Sequence, residues 1–269
     1  MNPTLRSLRL AAALFSAAAL TISCRSSRPA GGILEGRTVV DLTHALNERG
    51  PHWPGGGYFP FRAEVIAEID SHGVYSRVYS TPEHLGTHVD APNHFEKDRP
   101  SLDQIPVERL FGPGVVIDIE DKVRSDADAT LSIADVEAFE RANGRIPAGA
   151  IVLLRTGWSA RWNDPAAYRN EDASGVMHFP GYSAAAADLL ARRRSVSALG
   201  IDTLSVDPGI SRGYEAHHAG NRLGVYFIEN VAGLGALPPS GFDVIVAPMK
   251  IEGGSGGQAR VFAVLSKDR

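Results

Sequence analysis

The sequence predicts one large α/β domain, and three observations support this fold class. Short segments with continuous or alternating apolar residues have the pattern of β-strands. Two longer segments, with apolar residues near the 3.6-residue period, follow serines that can cap a helix. The chain has 269 residues, of which 43% are hydrophobic, and this is enough apolar material for a single extensive core.

The predicted strands are spread over the whole chain. They lie at residues 38–44, 61–69, 74–80, 115–119, 150–154, 198–202, 225–229, 243–247 and 260–265. The segments 61–69 and 74–80 alternate apolar with polar residues, as half-buried antiparallel strands do. A histidine-rich segment follows directly, so we expect it to continue the sheet before the chain bends.

The two predicted helices begin at serine caps. Ser132 begins one helix that Gly144 ends, and Ser183 begins a second helix that runs to Arg194. Between them, residues 161–176 are polar and are expected to form an irregular, exposed excursion.

The N-terminal segment has the features of a secretory signal. Arg6 and Arg9 give it a basic start, and residues 10–21 form an apolar run that is too short to span a bilayer comfortably. Serine, proline and glycine then predominate, as in a flexible linker. The predicted division is a lipoprotein-type signal peptide at 1–23, a flexible tether at 24–36 and one folded domain at 37–269.

The only cysteine of the chain, Cys24, lies where the run from Leu20 to Cys24 resembles a bacterial lipoprotein box. This resemblance predicts cleavage after Ser23 and a lipid on Cys24, and plain secretion with an unmodified cysteine is the alternative. We therefore expect an exported protein that is periplasmic or anchored in the outer membrane, with membrane contact only through Cys24. A single cysteine cannot form a disulfide within the chain.

Composition and motifs exclude several classes of function. The formal net charge is −4, so a nucleic-acid partner is not expected. The glycine-rich run 253–257 lacks the lysine that ends a phosphate-binding loop, and it is predicted to be a flexible hairpin loop. Gly-x-Ser-x-Gly occurs at 209–213 and at 253–257, but neither match joins a predicted strand directly to a predicted helix, so neither has the context of a nucleophilic serine.

The segment from 84 to 95 concentrates residues that bind divalent metals. It contains four candidate ligands, namely His84, His88, Asp90 and His94. A straight strand would place the first and last of them roughly 33 Å apart, too far for one metal site. Gly86 and Pro92 disfavour a continuous helix. The chain must therefore bend near both residues if the four side chains are to point into one pocket.

The pattern His84-x-Gly-Thr-His88-x-Asp90-x-Pro-x-His94-Phe95 resembles the signature of the metal-dependent cyclase-like hydrolase family. This family includes bacterial kynurenine formamidases and isatin hydrolases. His217 and Glu229 are similar to the second metal-binding segment of the family. Further segments that resemble family positions lie at 155–158, 202–209 and 250–254. The resemblance extends from about residue 37 to the end of the chain.

The resemblance implies a mixed, largely antiparallel, barrel-like sheet flanked by helices, the swivelling β/β/α fold of that family. It implies a homo-oligomer, either a dimer or a tetramer. Apart from other copies of the chain, the implied partner is a small-molecule substrate. The implied reaction is metal-dependent hydrolysis of the carbon–nitrogen bond of a small cyclic amide or aryl formamide. Divalent ions suit this reaction because they lower the pKa of bound water to about 7.

The resemblance also assigns residue roles. The implied metal ligands are His84, His88, Asp90, His94, His217 and Glu229, with Asp90 as the bridge between two ions. Nitrogen and oxygen ligands accept zinc, manganese or iron, and we expect one or two Zn²⁺ or Mn²⁺ ions per subunit. Glu229, or His94 if a single ion binds, is expected to transfer the proton to the leaving nitrogen. Trp53 is the candidate for the substrate pocket wall, and a surface lid or a packing plug is the alternative.

Two other functions remain open from the residues alone. His88, Asp90 and His217 could form the facial triad of a mononuclear iron oxygenase, which leaves the other candidate ligands unexplained. A non-catalytic metal-binding lipoprotein is the second alternative. His44, His52 and His178 show no ligand spacing, and we interpret them as solvated or structural histidines.

Overall fold

The computed structural model describes residues 34–266, and the described residues from Gly36 onward belong to one compact unit. The predicted signal peptide, Cys24 and most of the predicted tether lie outside the described residues. Among residues 34–266, none of the helices has the length and hydropathy of a membrane span.

Twelve strands follow one another in the described chain. They are β1 (Arg37–Asp41), β2 (Arg62–Ala67), β3 (Ser76–Ser80), β4 (His88–Asp90), β5 (Phe111–Asp118), β6 (Thr130–Leu131), β7 (Ile151–Arg155), β8 (Gly181–Tyr182), β9 (Ala198–Ile201), β10 (Tyr226–Glu229), β11 (Ser240–Pro248) and β12 (Gly256–Ser266). The short strands β6 and β8 pair with each other outside the main sheet.

Seven strands close a barrel in the order β12-β11-β5-β7-β9-β10-β4, because β4 pairs back onto β12. The pairs β5–β7, β7–β9 and β9–β10 are parallel, and the other four neighbouring pairs are antiparallel. Strand β1 lies outside the ring, antiparallel to β12. The predicted mixed, barrel-like α/β fold is therefore confirmed, with antiparallel pairs in a small majority.

Within residues 34–266, six short α-helices accompany the sheet. They are α1 (Ile69–His72), α2 (Glu120–Ser125), α3 (Ile133–Asn143), α4 (Pro165–Arg169), α5 (Ala184–Asp188) and α6 (Glu215–Asn221). Ser132 caps α3 by a reciprocal pair of hydrogen bonds with Asp135. Ser183 caps α5 by accepting the Ala186 N–H, and the helix continues through a π-helical turn at Leu189–Arg193. Both predicted helices are confirmed.

The barrel separates two apolar cores, because side chains of successive strand residues point to opposite sides. Val116 and Leu153 point into the barrel with residues of β10, β11 and β12. Val115 and Leu154 point outward, where Ala186 and Leu190 of the α5 segment cover them. The barrel wall is thus fixed on both faces, and it forms a rigid support for residues at the strand ends.

The structure corrects the prediction for residues 161–176. The segment 165–169 is the helix α4, which Asp164 caps by accepting the N–H groups of Ala166 and Ala167, and Pro165 occupies its first turn. Tyr168 is buried against Trp158 and Trp162 rather than exposed. The Asp-Pro start signal was present in the sequence, but the surrounding polar residues concealed it.

The predicted strands at 61–69 and 74–80 form the antiparallel hairpin β2–β3, with a bulge between Val65 and Ala67. The expected half burial is wrong within the described chain, because most residues of both strands are exposed. Alternation of apolar and polar residues predicts a strand, but it does not say which surface covers the apolar side.

Candidate active site

The candidate site lies where strand β4 pairs with strands from two distant parts of the chain. In the antiparallel pair β4–β10, His88 lies opposite Glu229, so both side chains share one face of the sheet. On its other side, β4 pairs with β12, where Asp90 lies opposite Gly256. Strand pairing therefore brings Glu229 next to ligands that precede it by about 140 positions.

The chain bends at both predicted positions. Gly86 has a φ of 66°, a conformation that glycine adopts without strain, and it turns the chain between His84 and His88. After β4, Pro92 opens a 3₁₀ turn that ends at His94. The imidazole of His94 stacks on that of His84, with ring centroids 3.9 Å apart.

Five of the six predicted ligands come together in two groups that share one carboxylate. The first group is His84, His88 and Asp90, and the second is Asp90, His217 and Glu229. Within each group the potential ligand atoms lie within 4.8 Å of one another. His94 lies outside both groups, beside His84, and its role as a ligand stays a prediction.

Asp90 directs its two oxygens toward different groups. Its Oδ1 lies 2.6 Å from His84 Nδ1 and 3.0 Å from His88 Nε2. Its Oδ2 lies 3.2 Å from His217 Nε2, which is also 3.3 Å from Glu229 Oε1. This arrangement is the one that a bridging carboxylate requires.

The residues present fit a divalent cation. Within the described chain, His88 Nε2 is buried and makes no hydrogen bond of acceptable geometry, although Asp90 Oδ1 is 3.0 Å away. Asp90 and Glu229 are two buried carboxylates, and such groups are costly to bury without a balancing positive charge. Imidazole nitrogens and carboxylate oxygens, without a thiolate, are a typical ligand set for zinc or manganese.

The electrostatics of the site favour positive charge. Burial lowers the pKa of His88, but the carboxylates of Asp90 and Glu229 outweigh burial and raise it to about 9. Burial also raises the pKa of Asp90, but His84 and His88 hold it well below its usual value. Burial raises the pKa of Glu229, and the negative charge of Asp90 raises it further. Protons and metal ions therefore compete for the same histidine and carboxylate atoms, and metal binding should release protons.

His94 has a different electrostatic environment. Burial lowers the pKa of its imidazole to about 3 despite the nearby carboxylate of Asp90. The ring is consequently neutral at neutral pH. It lines the cavity beside the ligand groups and is able to accept a proton there.

Asp207 is a residue that sequence reasoning missed. Its Oδ2 accepts the backbone N–H of His217 at 3.1 Å and lies 2.6 Å from His217 Nδ1. Its Oδ1 accepts the N–H of Ala216 at 2.8 Å, so one carboxylate satisfies the start of α6 and orients the imidazole. The side chain thereby directs Nε2 of His217 toward Asp90. The run 202–209 was recognised by resemblance, but nothing local indicated this contact.

Replacing Asp207 with Asn should weaken metal binding about 10- to 100-fold, because the imidazole of His217 loses its carboxylate partner. Competition with a chromophoric chelator measures the affinity. Asp188→Asn is the control, since Asp188 pairs only with Arg192 on an exposed helix face among its described contacts, and it should leave the affinity unchanged. Equal affinities for Asp207→Asn and the parent would contradict the positioning role.

A small cavity of about 200 Å³ opens onto the two ligand groups. Four aromatic side chains form part of its wall, namely Trp53, Tyr58, Phe95 and Tyr214. The rings of Phe95 and Tyr214 are 5.1 Å apart, and those of Trp53 and Tyr214 are 6.4 Å apart. Trp53 thus lies in the cavity wall, and its role in substrate binding stays a prediction. Phe95 belongs to the family signature, whereas Tyr58 and Tyr214 have no counterpart among the predicted site residues.

The other histidines lie outside the ligand groups. His44 stacks on Trp162 at 4.0 Å, and burial lowers its pKa to about 4. His178 pairs with Asp128 at 2.7 Å, in agreement with a structural role. His52 differs from its predicted role as a solvated or hydrogen-bonded histidine, because it lines the cavity and its buried Nδ1 has no partner within the described chain.

The chain is similar to known proteins over most of its length. Residues 40–208 match the model of a family described as putative cyclase. An isatin hydrolase of Roseibium aggregatum is 35% identical over 247 residues, which cover 85% of this chain and 92% of that protein. A kynurenine formamidase of Geobacillus thermodenitrificans is 27% identical over 223 residues, covering 82% and 94% respectively. The solved isatin hydrolase A from Ralstonia solanacearum has a TM-score of 0.81 at 38% identity, covering 86% and 93%.

Proposed function

We propose, because this chain belongs to the putative cyclase family, that it opens the ring of a small cyclic aryl amide. The chain is a metal-dependent amide hydrolase that acts on carbon–nitrogen bonds other than peptide bonds.

The aromatic cavity supports the choice of substrate class. At about 200 Å³ it is smaller than most ligand pockets, which measure about 300–1,000 Å³. Trp53, Phe95 and Tyr214 offer ring faces to a flat molecule, and aromatic rings prefer offset or edge-to-face contact with one another. A bicyclic lactam such as isatin is flat, small and uncharged, and these properties suit a small cavity with aromatic walls.

We propose that His84, His88 and Asp90 hold one divalent cation, and that Asp90, His217 and Glu229 hold a second. When bound, such cations ionise water at neutral pH and polarise the substrate carbonyl. The oxygens of Glu229 are already engaged, because Oε1 accepts the Val206 N–H at 2.9 Å and Oε2 lies 3.5 Å from His88 Nε2. His94 is therefore assigned the proton transfer from the attacking water to the leaving nitrogen.

An aryl formamide is the second candidate substrate, since a kynurenine formamidase is among the relatives. Both substrates present a planar aryl ring and a carbonyl on the attached nitrogen. The higher identity to an isatin hydrolase favours the cyclic amide. The iron oxygenase and the non-catalytic lipoprotein are set aside, because the relatives are hydrolases that match over most of their length.

Replacing Trp53 with Ala should raise KM for isatin about tenfold while kcat changes little, because the variant loses an aromatic contact but no reacting group. Steady-state hydrolysis of isatin and of an N-formyl aniline by the metal-loaded protein provides the measurement. Trp53→Phe keeps a ring in the wall and should stay close to the parent. Hydrolysis of neither substrate, or only of the formamide, would contradict the cyclic-amide proposal.

The metal is proposed to be Zn²⁺ or Mn²⁺, since both suit nitrogen and oxygen ligands and an open position for water. Elemental analysis of the protein as purified, and reactivation of chelator-treated protein by each ion, decide between them. Restoration of activity by Fe²⁺ alone would contradict the assignment of Zn²⁺ or Mn²⁺.

We propose that the protein is exported and is periplasmic or anchored in the outer membrane through a lipid on Cys24. The support is the sequence pattern around Cys24 alone. Fractionation of cells that express the parent or Cys24→Ser tests it, because only the parent should remain with the membranes. A nucleic-acid partner is not proposed, and assembly into a dimer or tetramer is proposed from the resemblance.

A further inference from the structure

Asn230 directly follows the ligand residue Glu229 at the end of strand β10 and is buried, with 2% of its surface exposed. Its φ is 55°, in the left-handed region where residues other than glycine, asparagine and aspartate are uncommon. Residues held in this conformation cost free energy, and they concentrate at functional sites. Asn230 also lines the cavity that opens onto the two ligand groups. Its conformation and its place therefore point to a functional constraint.

The side-chain amide of Asn230 bonds to the turn that precedes strand β4. Its Nδ2 donates to the carbonyl oxygen of Gly86 at 2.9 Å, and the same oxygen lies 2.8 Å from Nδ1 of His88. A carbonyl oxygen only accepts hydrogen bonds, so His88 must carry a proton on Nδ1. In the neutral ring, Nε2 then has a free lone pair, 3.0 Å from Oδ1 of Asp90. The Gly86 carbonyl thus selects the tautomer whose free nitrogen faces the ligand group.

A buried hydroxyl holds the amide of Asn230 in turn. Tyr168 is fully buried, and its hydroxyl lies 3.0 Å from Asn230 Oδ1 and 2.9 Å from the carbonyl oxygen of Asp202. Because the Gly86 carbonyl needs a donor, the hydrogen-bond network assigns the NH₂ group to Gly86 and Oδ1 to Tyr168. The backbone is held as well, since Thr87 Oγ1 donates to the Asn230 carbonyl at 2.6 Å. Asn230 is therefore fixed through its side chain and its main chain.

We propose that Asn230 is a positioning residue of the metal site, which fixes the tautomer and the ring direction of His88 through the Gly86 carbonyl. This inference rests on the proposed binding of divalent cations, and it does not depend on which substrate is hydrolysed. Partners that orient a metal-binding imidazole typically contribute about 10- to 100-fold in metal affinity. Asp207 orients His217 of the second ligand group by direct contact. Asn230 does the same for the first group through a backbone carbonyl, with Tyr168 behind it.

Replacing Asn230 with Gly removes the amide without straining the backbone, because glycine adopts a φ of 55° freely. The variant should bind Zn²⁺ about 10- to 100-fold more weakly than the parent. Competition of the Zn²⁺-loaded protein with a chromophoric chelator measures this affinity, and thermal unfolding of the metal-free protein measures stability separately. A merely structural residue would lower the stability and leave the affinity unchanged.

Tyr168→Phe is a second variant, which keeps Asn230 and removes only the hydroxyl that holds its amide. It should lower the Zn²⁺ affinity about tenfold, the lower end of the same range. Tyr182→Phe is the matched control, because the Tyr182 hydroxyl is also buried and bonds to the backbone carbonyls of Val152 and Gly200 outside the cavity. Both phenylalanine variants should lose thermal stability, but only Tyr168→Phe should lose affinity.

Nitrogen-15 NMR of the Zn²⁺-loaded protein reads the state of the His88 ring directly. In the parent the ring proton should lie on Nδ1 and exchange slowly with water, because the Gly86 carbonyl accepts it. In Asn230→Gly and Tyr168→Phe it should exchange faster. Parent-like affinity and exchange in both variants, or an equal loss of affinity in Tyr182→Phe, overturns the proposal. A parent that binds neither Zn²⁺ nor Mn²⁺ refutes the metal site itself, a failure that the parent shows without any variant.

Discussion

Asp90→Asn should lower kcat/KM at least about a thousand-fold and remove bound metal, although the substituted side chain has nearly the same shape. The carboxylate is buried, and its two oxygens point to separate ligand groups. An amide offers only one oxygen and no charge, so it cannot bridge two cations. Several kcal/mol of lost stabilisation correspond to about three orders of magnitude in rate.

Metal content and steady-state rates of the same preparation provide the measurement. Asp243→Asn serves as the control, because Asp243 is an exposed residue that pairs with Arg37 at 3.3 Å away from the site. Full metal content in Asp90→Asn, with an unchanged rate, would show that the shared carboxylate does not hold the ions. Loss of metal without loss of rate would contradict metal dependence itself.

Local pattern was sufficient for most of the fold. The capping serines Ser132 and Ser183 marked both longer helices. Apolar patterns located six of the seven barrel strands, and β4 was expected only as a continuation of the sheet. The closure of the barrel could be predicted only from the resemblance to the family. It depends on the pairing of β4 with β12, which are far apart in the sequence. The glycines at 256 and 257, which we expected in a loop, belong to this pairing. A side chain at Gly256 would come within 2.4 Å of the His84 ring, so the close approach requires glycine.

The ligand residues could be predicted because they cluster in sequence and match a family pattern. The bends at Gly86 and Pro92 followed from backbone preferences alone. Asp207 and the aromatic wall at Tyr58 and Tyr214 could not be found in this way. Aspartate and tyrosine are common surface residues, and their positions here depend on contacts across the fold. Asp207, Tyr58 and Tyr214 therefore have no short-range signal in the sequence.

His94→Ala should lower kcat about 10²- to 10⁴-fold while the protein retains its metal, which is the range that general acid–base catalysis contributes. The imidazole lines the cavity and lies outside both ligand groups, stacked on His84 at 3.9 Å. Burial lowers its pKa to about 3, so the ring is neutral at neutral pH, and a proton that it takes from the attacking water is released readily to the leaving nitrogen. Protonation of His94 should therefore not limit the rate between pH 7 and pH 4, because these two pH values lie about 4 and about 1 units above that pKa.

The leaving group distinguishes proton transfer from a purely structural role. If His94 delivers the proton to nitrogen, the variant should lose least with N-formyl anilines whose amine is a good leaving group and most with poor ones. His178→Ala is the control, since His178 pairs with Asp128 outside the cavity, and it should match the parent with every substrate. A uniform loss across the series would contradict proton transfer to nitrogen. Loss of metal in His94→Ala would instead make His94 a metal ligand, as the sequence predicted. If the ring only transfers protons, the two carboxylates and the other three imidazoles remain in the variant and should still bind the metal.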